Sequence, residues 1–551
     1  MRGRRFRWVS VAVVGLVILG PASAALAAVS QSPQVIRFHG GGNDRANAFT
    51  MDATGNLYLA GSTEAPNTDI TFSAVKLDSA GALIWRRTYS GSRGGTLGLA
   101  SAVAVDGAGN VYVAGSVGGT GAVDLLVVKL NRDGVEQWAQ RYDNGGFDQA
   151  TEIAVDQSGA VYVGGNSMGA GSGFDWVTQR YTAAGTLQWT RRHSGPGAAD
   201  DTVSDLAVAP NGTVVVAGNS KNTGDGVTND IDVLTYDAQG ATVWQRRFTD
   251  TAISDELAGD LDIDPTGRIA VTGSTAQNAS PEFGIPTPLT LVYDASGTLS
   301  RTVRVGGAAI DVDATGNAYT AGFFSTPNAS AVGKFDATGG QVWLTPLTFA
   351  ANETPFITAI AVDTTGQVTV AGTLTNNLNL NADYITIRYA ADGRELWRHR
   401  FNGTGDGADR VAGLVIDGQN AALVGGTSFN NPVFSGGTGD DMTTLRFPAG
   451  VTPGEGGPPA APSQLTAASQ SRSEIRLTWR DNAANETGSR IERCRGAGCT
   501  GFVEIAVVGA NATTFVDSGL VRNTTYTYRI RAFNADGVSA FSNITAARTR
   551  R

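Results

Sequence analysis

Short strands with alternating apolar and polar residues recur along the chain, joined by turns rich in Asp, Asn and Gly. The clearest copy runs from Val103 through the turn Asp106-Gly107-Ala108-Gly109-Asn110 to Val113. An Asp that opens such a turn can accept hydrogen bonds from backbone N–H groups two residues on. A Gly three residues later can adopt positive φ at no steric cost. The pattern therefore predicts a β-hairpin.

This hairpin occurs eight times, at intervals of 49 to 55 residues. The turn residue that requires positive φ is Gly55, Gly109, Gly159, Gly212, Gly267, Gly316, Gly366 or Asn420. A repeat of about 40–50 residues made of short strands is typical of a β-propeller or a similar array. The chain is therefore predicted to be all-β.

Two further strands follow each hairpin. The third ends in an aromatic residue or Leu, usually preceded by Lys or Arg, as in Gln179-Arg180-Tyr181. The fourth follows a turn of the type Asp-x-x-Gly-x-x-x-Trp. The tryptophans are Trp85, Trp138, Trp189, Trp244, Trp343 and Trp397, and the fifth repeat has Arg301 instead. A ring repeated at one spacing favours packing between neighbouring repeats over sugar stacking.

The strand count predicts how the array closes. The hairpin and the third strand occur eight times, but the last third strand ends at Phe447 and is followed by Pro448. Residues 34–40 match residues 85–91 in spacing, so we expect strand 34–38 to complete the last blade. Such pairing would remove an exposed sheet edge.

The recurring phrase Asp-x-x-Gly-Asn-x-Tyr-Val-x-Gly, with the basic–aromatic strand and the Asp-x-x-Gly turn, resembles the bacterial SBBP β-propeller repeat family over residues 34–447. That family is commonly described as seven-bladed, which stays the alternative; the eight copies here favour an eight-bladed propeller over residues 29–450. The resemblance implies an extracellular or cell-surface binding scaffold with no single activity.

A different pattern follows the Pro/Gly-rich linker at 451–462. Leu477 and Trp479 alternate on one strand, and Tyr526-x-Tyr528-x-Ile530 alternate on another. Residues 463–551 resemble a fibronectin type III β-sandwich. The resemblance implies that Trp479 is the core tryptophan and Tyr526 the tyrosine corner; the chain departs from the family at Asn523, where Pro is common.

Both cysteines lie in this module. Cys494 and Cys499 flank a predicted tight turn. In an exported chain two cysteines this close favour a disulfide, worth about 2 kcal/mol for so short a loop. A metal site is the alternative, but no His or further Cys lies nearby in the sequence.

The first 28 residues read as a signal peptide. A basic start that includes Arg4 and Arg5 precedes the apolar stretch 9–20 and the small-residue sequence Ala25-Leu26-Ala27. An ordinary export signal is favoured over a twin-arginine one. We expect a secreted or cell-surface protein with no membrane span after cleavage. The net charge of −9 argues against nucleic-acid binding.

Catalytic patterns are sparse. His39, His193 and His399 lie on different repeats and are expected to be structural or exposed. Residues 336–343 approach the docking motif of eight-bladed quinone-dependent dehydrogenases, but the segment is one residue short between Asp336 and Gly339, and the repeats contain no Cys for a redox disulfide.

An acid lies eight residues before the hairpin in five repeats: Asp44, Asp148, Asp201, Glu256 and Asp409. A second recurring set precedes the end of the third strand: Asp124, Asp175, Asp230, Asp383 and Asp441. The first set could form a ring at one mouth of the channel that attracts Ca²⁺ or a basic ligand. The alternative is that both sets cap their own strands. No other cofactor is indicated.

These features predict an exported, non-catalytic binding or adhesion scaffold that recognises a protein or a glycan. The rival is an extracellular carbohydrate-active or other hydrolytic enzyme with an accessory fibronectin type III module.

Overall fold

The computed structural model describes residues 33–551 except for 41, 65–69, 91–96, 120–121, 170–172, 198, 222–227, 252–253, 278–286, 305–306, 325–328, 378–380, 404–406, 430–438, 450–458, 484–485, 487, 510 and 535–536. The predicted signal peptide and most of the predicted linker lie outside these residues. The described residues contain strands and no helix. Accordingly, they include no apolar helix that could cross a membrane.

The strands up to residue 447 fall into eight four-stranded units, numbered here in chain order. Units 1 to 4 contain β2 (Asp44–Met51), β3 (Leu57–Glu64), β4 (Ile70–Leu77), β5 (Leu83–Tyr89); β6 (Leu97–Val105), β7 (Val111–Gly119), β8 (Ala122–Leu130), β9 (Glu136–Tyr142); β10 (Asp148–Val155), β11 (Val161–Gly169), β12 (Gly173–Tyr181), β13 (Leu187–His193); β14 (Thr202–Val208), β15 (Val214–Lys221), β16 (Asn229–Tyr236) and β17 (Thr242–Phe248).

Units 5 to 8 contain β18 (Ser254–Ile263), β19 (Ile269–Gln277), β20 (Thr287–Tyr293), β21 (Leu299–Val303); β22 (Ala309–Val312), β23 (Ala318–Phe324), β24 (Ala329–Phe335), β25 (Gln341–Pro346); β26 (Glu353–Val362), β27 (Val368–Asn376), β28 (Ala382–Tyr389), β29 (Glu395–Phe401); β30 (Arg410–Ile416), β31 (Ala422–Phe429), β32 (Asp440–Phe447) and β1 (Gln34–Phe38). Within each unit sequential strands pair antiparallel, and in unit 8 β1 takes the outer place beside β32. One parallel pair, Ile70 with Leu97, joins the sheets of units 1 and 2.

The pairing of β1 with β32 brings the start of the described chain to the last unit. Gln34 lies opposite Arg446, and Phe38 lies opposite Met442. Ile36, in the middle of β1, is buried. The first strand of each unit contacts the first strand of the next, and β30 contacts β2. The hydrophobic clusters therefore lie mainly between neighbouring units; one joins Trp85 of unit 1 to Val113 of unit 2.

The hairpin turns follow the predicted chemistry. Asp106 accepts hydrogen bonds from the backbone N–H of Ala108 and of Asn110, both at 2.9 Å, and from the Tyr112 hydroxyl. Gly109 has φ +81°, and Asn420 takes the same place in unit 8 with φ +63°. Seven of the hairpins open with an Asp that can bind the turn in this way; the hairpin of unit 4 opens with Ala209, and Asn211 accepts from the backbone N–H of Thr213 instead.

The C-terminal module forms two sheets. Its strands are β33 (Ser463–Ser469), β34 (Ile475–Arg480), β35 (Gly488–Arg495), β36 (Val503–Gly509), β37 (Thr514–Asp517), β38 (Thr525–Asn534), β39 (Gly537–Val538) and β40 (Thr545–Arg548). The sheet orders are β33-β34-β37 and β36-β35-β38, with β39 and β40 both on β38. Trp479 is buried, and the backbone N–H of Val521 donates to the Tyr526 hydroxyl at 3.0 Å. Asn523 has φ +53°, a conformation that Pro cannot adopt, which explains the departure from the family pattern.

The predicted disulfide between Cys494 and Cys499 is confirmed, with the two Cα atoms 6.1 Å apart. It closes the turn between β35 and β36. Gly496 and Gly498 in this turn both have positive φ.

Candidate binding site

The repeated tryptophans lie at the junctions between units. The Trp244 indole N–H donates to the carbonyl of Ala295 in unit 5 at 3.2 Å, and a Cβ at Gly297 would lie 2.4 Å from its ring. Trp85, Trp138, Trp189 and Trp343 make the same hydrogen bond to the following unit. Trp397 instead stacks on Phe447, with ring centroids 5.0 Å apart. These contacts give the tryptophans a structural role.

The junction between units 5 and 6 lacks this tryptophan. Arg301 lies over Gly339, as an indole does elsewhere. Arg268 donates to the Ala337 carbonyl at 2.7 Å and so uses the acceptor that an indole N–H would use. A cavity of 230 Å³ remains, lined by residues that include Ile269, Val292 and Phe335.

The five acids predicted to form a ring are all buried, and each lies at its own junction. Asp201 accepts from the backbone N–H of Gly195 at 2.6 Å and of Lys221 at 2.9 Å. Asp409 accepts in the same way from Gly403 and Phe429. Asp44, Asp148 and Glu256 accept from Gly40, Asn144 and the Thr275 hydroxyl, respectively. Each acid therefore fastens the loop around it.

The two recurring acid sets meet one another across the junctions. Asp201 and Asp175, from neighbouring units, interact as like charges, and so do Asp409 and Asp383. Burial first, with Asp383 adding to it, raises the pKa of Asp409 to about 7. An arginine of the preceding outer strand compensates: Arg192 binds Asp175 at 2.7 Å. The only cluster of three metal-ligating residues among those described is His39, Asp44 and Asp441, so the five acids do not share one ion site there.

A different set of carboxyls links the first strands. Asp205 of β14 accepts from the backbone N–H of Leu261 at 2.8 Å, and Asp311 of β22 accepts from Val362 at 2.6 Å. Asp260 and Asp262 of β18 accept from Ile310 and Val312 of unit 6 at 2.9 and 2.7 Å. Adjacent first strands belong to different sheets, so these side chains supply links that backbone pairing does not.

Sequence reasoning missed these first-strand carboxyls. They stand four or two residues before the turn, at alternate positions that share one strand face. Burial and the Asp205 charge raise the pKa of Glu152, and burial with the Asp311 charge raises that of Asp262 to about 7. An acid four or two residues before the hairpin turn is the sequence signal that could have identified these first-strand carboxyls.

An apolar groove lies over unit 6. β22 has only four residues, whereas β18 and β26 on either side have ten each. The neighbouring strands therefore extend beyond it and enclose a groove of 530 Å³. Leu257 and Phe356 line it and are 42% and 57% exposed.

The histidines do not converge. His193 lies 2.8 Å from Asp232 and packs edge-on against Trp176. Burial lowers the pKa of His399 to about 4, so this ring is neutral near pH 7. His39 is exposed and lies near Asp44 and Asp441.

The family model of the fibronectin type III domain matches residues 460–548, so the C-terminal module is a fibronectin type III domain. No curated protein matches the chain. A Fn3-like protein from Clostridium thermocellum is 23% identical over 17% of this chain and 95% of its own, with a TM-score of 0.15.

Two other solved structures are similar to parts of the chain. Titin kinase with its flanking domains is 22% identical over 17% of each chain, with a TM-score of 0.16, so the chain spans about a sixth of that protein. Sqt1 from Chaetomium thermophilum is 11% identical over 77% of this chain and 98% of its own, with a TM-score of 0.43. At these scores the structures add no argument about function.

Proposed function

We propose that the chain is an exported, non-catalytic binding scaffold whose eight units form an eight-bladed β-propeller. Support for the propeller comes from the series of first-strand contacts that returns from β30 to β2, and from the outer place of β1 in unit 8. The disulfide between Cys494 and Cys499 is compatible with an oxidising extracellular setting. The resemblance to SBBP repeats remains part of this proposal.

The groove over unit 6 carries the binding proposal. It is the place where the repeat is interrupted, and Phe356 and Leu257 expose large apolar side chains there. Its lining also includes Pro288, Pro355 and Ile357. The lining also includes Ser274, Ser330, Thr354 and Thr358, but the large exposed side chains, Leu257 and Phe356, are apolar and favour the apolar side chains of a protein over sugar hydroxyls. The ligand is therefore a protein segment with exposed apolar side chains.

The hydrolytic alternative receives less support. Glycoside hydrolysis uses two carboxyls about 5–5.5 Å or 6.5–9.5 Å apart. The Asp205 and Asp260 carboxyls are within hydrogen-bond contact of each other, and both also accept backbone N–H groups. Such a pair acts as a link between strands and leaves no room for a glycosidic bond.

A displayed peptide library tests the proposal. The full chain should enrich peptides rich in aromatic and aliphatic residues, and Phe356→Ser should reduce their binding about tenfold or more, because exposed aromatic anchors carry much of the binding energy. Val342→Ser is the matched control, since Val342 of unit 6 is 54% exposed and lies outside the groove.

Glycan arrays and glycoside turnover are measured alongside. Equal peptide binding by Phe356→Ser and wild type would contradict the groove. Selective binding of glycans would overturn the proposal that the ligand is a protein. Glycoside turnover that is lost on substitution of groove residues would overturn the proposal that the chain is non-catalytic.

A further inference from the structure

The junction between units 8 and 1 differs in how its acids are compensated from the four other junctions that contain the recurring third-strand acid. In units 2, 3, 4 and 7 an outer-strand arginine pairs with the third-strand acid; the pairs are Arg141–Asp124, Arg192–Asp175, Arg247–Asp230 and Arg400–Asp383. Arg37 occupies the same register position in unit 8, opposite Thr443. Its guanidinium lies instead over the Phe401 ring, 5.7 Å from the centroid.

A histidine takes the place of that arginine. Nδ1 of His39 lies 2.7 Å from Oδ1 of Asp441 and 3.9 Å from Oδ2 of Asp44. The ligand atoms of the three residues lie within 4.8 Å of one another. They come from three places in the chain: the residue after β1, the start of β2 and β32.

Asp44 is a buried carboxylate with spare capacity. Its side chain is 0% exposed, and Oδ1 has no hydrogen-bond partner among the described residues. Oδ2 is held by the backbone N–H of Gly40, and a Cβ at Gly40 would lie 2.6 Å from Oδ1. The chain therefore holds this carboxylate in position while leaving one oxygen unsatisfied, which is costly. Asp148 and Glu256 also have such an oxygen, and what distinguishes Asp44 is its place in the cluster with His39 and Asp441.

We propose that His39, Asp44 and Asp441 bind a divalent transition-metal ion of the Zn²⁺ type at the point where the chain joins its first and last units. Zn²⁺ takes imidazole nitrogen and carboxylate oxygen at about 2.0–2.2 Å, so tetrahedral ligand atoms are about 3.4 Å apart. Nδ1 of His39 lies 2.7 Å from Oδ1 of Asp441 and 3.9 Å from Oδ2 of Asp44, on either side of that value. Oδ2 of Asp44 also accepts from Gly40, and Oδ1 is the second oxygen that the same carboxylate offers.

The ligand set decides the class of metal. Imidazole suits Zn²⁺ and similar ions, whereas Ca²⁺ prefers six to eight oxygen ligands. His39 has a side chain that is 49% exposed, so the ion can enter from solvent and keep water as a fourth ligand. The ion fastens β1 and β32 to β2, and it replaces the arginine of the other junctions.

Zinc titration of the chelator-treated full chain, by calorimetry and by thermal unfolding, tests the site. Wild type should bind one Zn²⁺ and unfold at a higher temperature with zinc than with chelator. His39→Ala should lower zinc affinity about tenfold or more and remove the shift. His193→Ala is the matched control, because His193 also lies beside an Asp.

His39→Arg separates folding from metal binding, because it places a guanidinium beside Asp441, as Arg192 lies beside Asp175 in unit 3. It should bind no zinc and should unfold at or above the temperature of the chelator-treated wild type. Unchanged zinc affinity in His39→Ala, or no zinc binding by wild type, would mean that His39 and Asp441 form a hydrogen bond only. Stronger binding of Ca²⁺ than of Zn²⁺ would overturn the assigned class of metal.

Discussion

The junction between units 4 and 5 and the junction between units 5 and 6 meet the same packing requirement with different residues. In the first, the Trp244 ring covers Gly297 and donates to Ala295. In the second, Arg301 covers Gly339, Arg268 donates to the matching carbonyl, and a cavity of 230 Å³ remains. The turn glycine and its carbonyl are thus the constant part of a junction, and the side chain that covers them can vary.

The two junctions also differ in the carboxyl side chains that link the first strands of neighbouring units. One carboxyl, Asp205, links β14 to β18, whereas two, Asp260 and Asp262, link β18 to β22. The junction that lacks a tryptophan therefore has more hydrogen bonds from a carboxyl of one first strand to the backbone of the next. The difference teaches that stability is distributed over both sides of each junction.

The largest expected effect comes from removing a tryptophan that fills its junction. Trp244→Ala should destabilise the repeat region by about 3–5 kcal/mol, because it removes a buried ring and leaves a cavity between units. Calorimetry of the full chain measures this as a lower unfolding temperature of the repeat region. Val243→Ala is the control, since Val243 is 53% exposed. A loss no larger than in that control would show that the tryptophan does not hold the junction.

The polar links of the second junction predict a pH dependence. Burial and the charge of Asp311 raise the pKa of Asp262 to about 7. The carboxyl of Asp260 also interacts with that of Asp262 as a like charge. A carboxyl whose pKa is raised by folding stabilises the folded state at low pH, and this contribution is lost as pH rises through the folded pKa.

Unfolding free energy should therefore fall as pH rises from about 4, near the unfolded pKa, to about 7, the folded pKa of Asp262, by an amount on the order of a few kcal/mol from this group. Asp262→Asn keeps an acceptor for Val312 and should flatten that part of the curve. Urea unfolding at several pH values, with chelator present, measures the difference. Parallel curves for variant and wild type would exclude Asp262 as the source.

The smallest effect is expected from restoring the missing tryptophan. Arg301→Trp should fill the cavity and raise stability by about 1 kcal/mol, the usual gain from filling a cavity. Thermal unfolding checks this. A fall in the unfolding temperature would mean that Arg268 and Arg301 already pack the junction as well as an indole could.

The repeat, its turns and the fibronectin type III domain could be predicted because local chemistry decides them. Asp106 and Gly109 determine a turn within five residues. A tryptophan such as Trp244 follows the turn glycine at the same spacing in most units. The disulfide followed from the closeness of Cys494 and Cys499. None of these inferences required knowledge of which units touch.

The candidate sites depend on contacts between distant residues, so the sequence was a weaker guide. The recurrence of Asp201 and its counterparts is visible in the sequence, which leaves open whether these acids form a ring or cap their own strands. The structure shows that Asp201 and Asp409 accept backbone N–H groups from the loops around them. Asp262 gives a weak sequence signal, because only some repeats have an acid two residues before the hairpin turn. The groove at Phe356 forms because β22 has only four residues, and no pattern in the sequence predicts that short length.

The central claim is that eight units form a ring completed by β1, and one cross-link tests it most directly. Directly opposed residues of an antiparallel pair lie close enough for a disulfide, and Gln34 lies opposite Arg446. Gln34→Cys with Arg446→Cys should form an intramolecular disulfide, seen by mass spectrometry of the oxidised protein. Gln34→Cys with Lys76→Cys should not, because Lys76 occupies the matching place in unit 1, where β4 already pairs with β5. Failure of the first pair to cross-link, or equal cross-linking of the second, would contradict the ring.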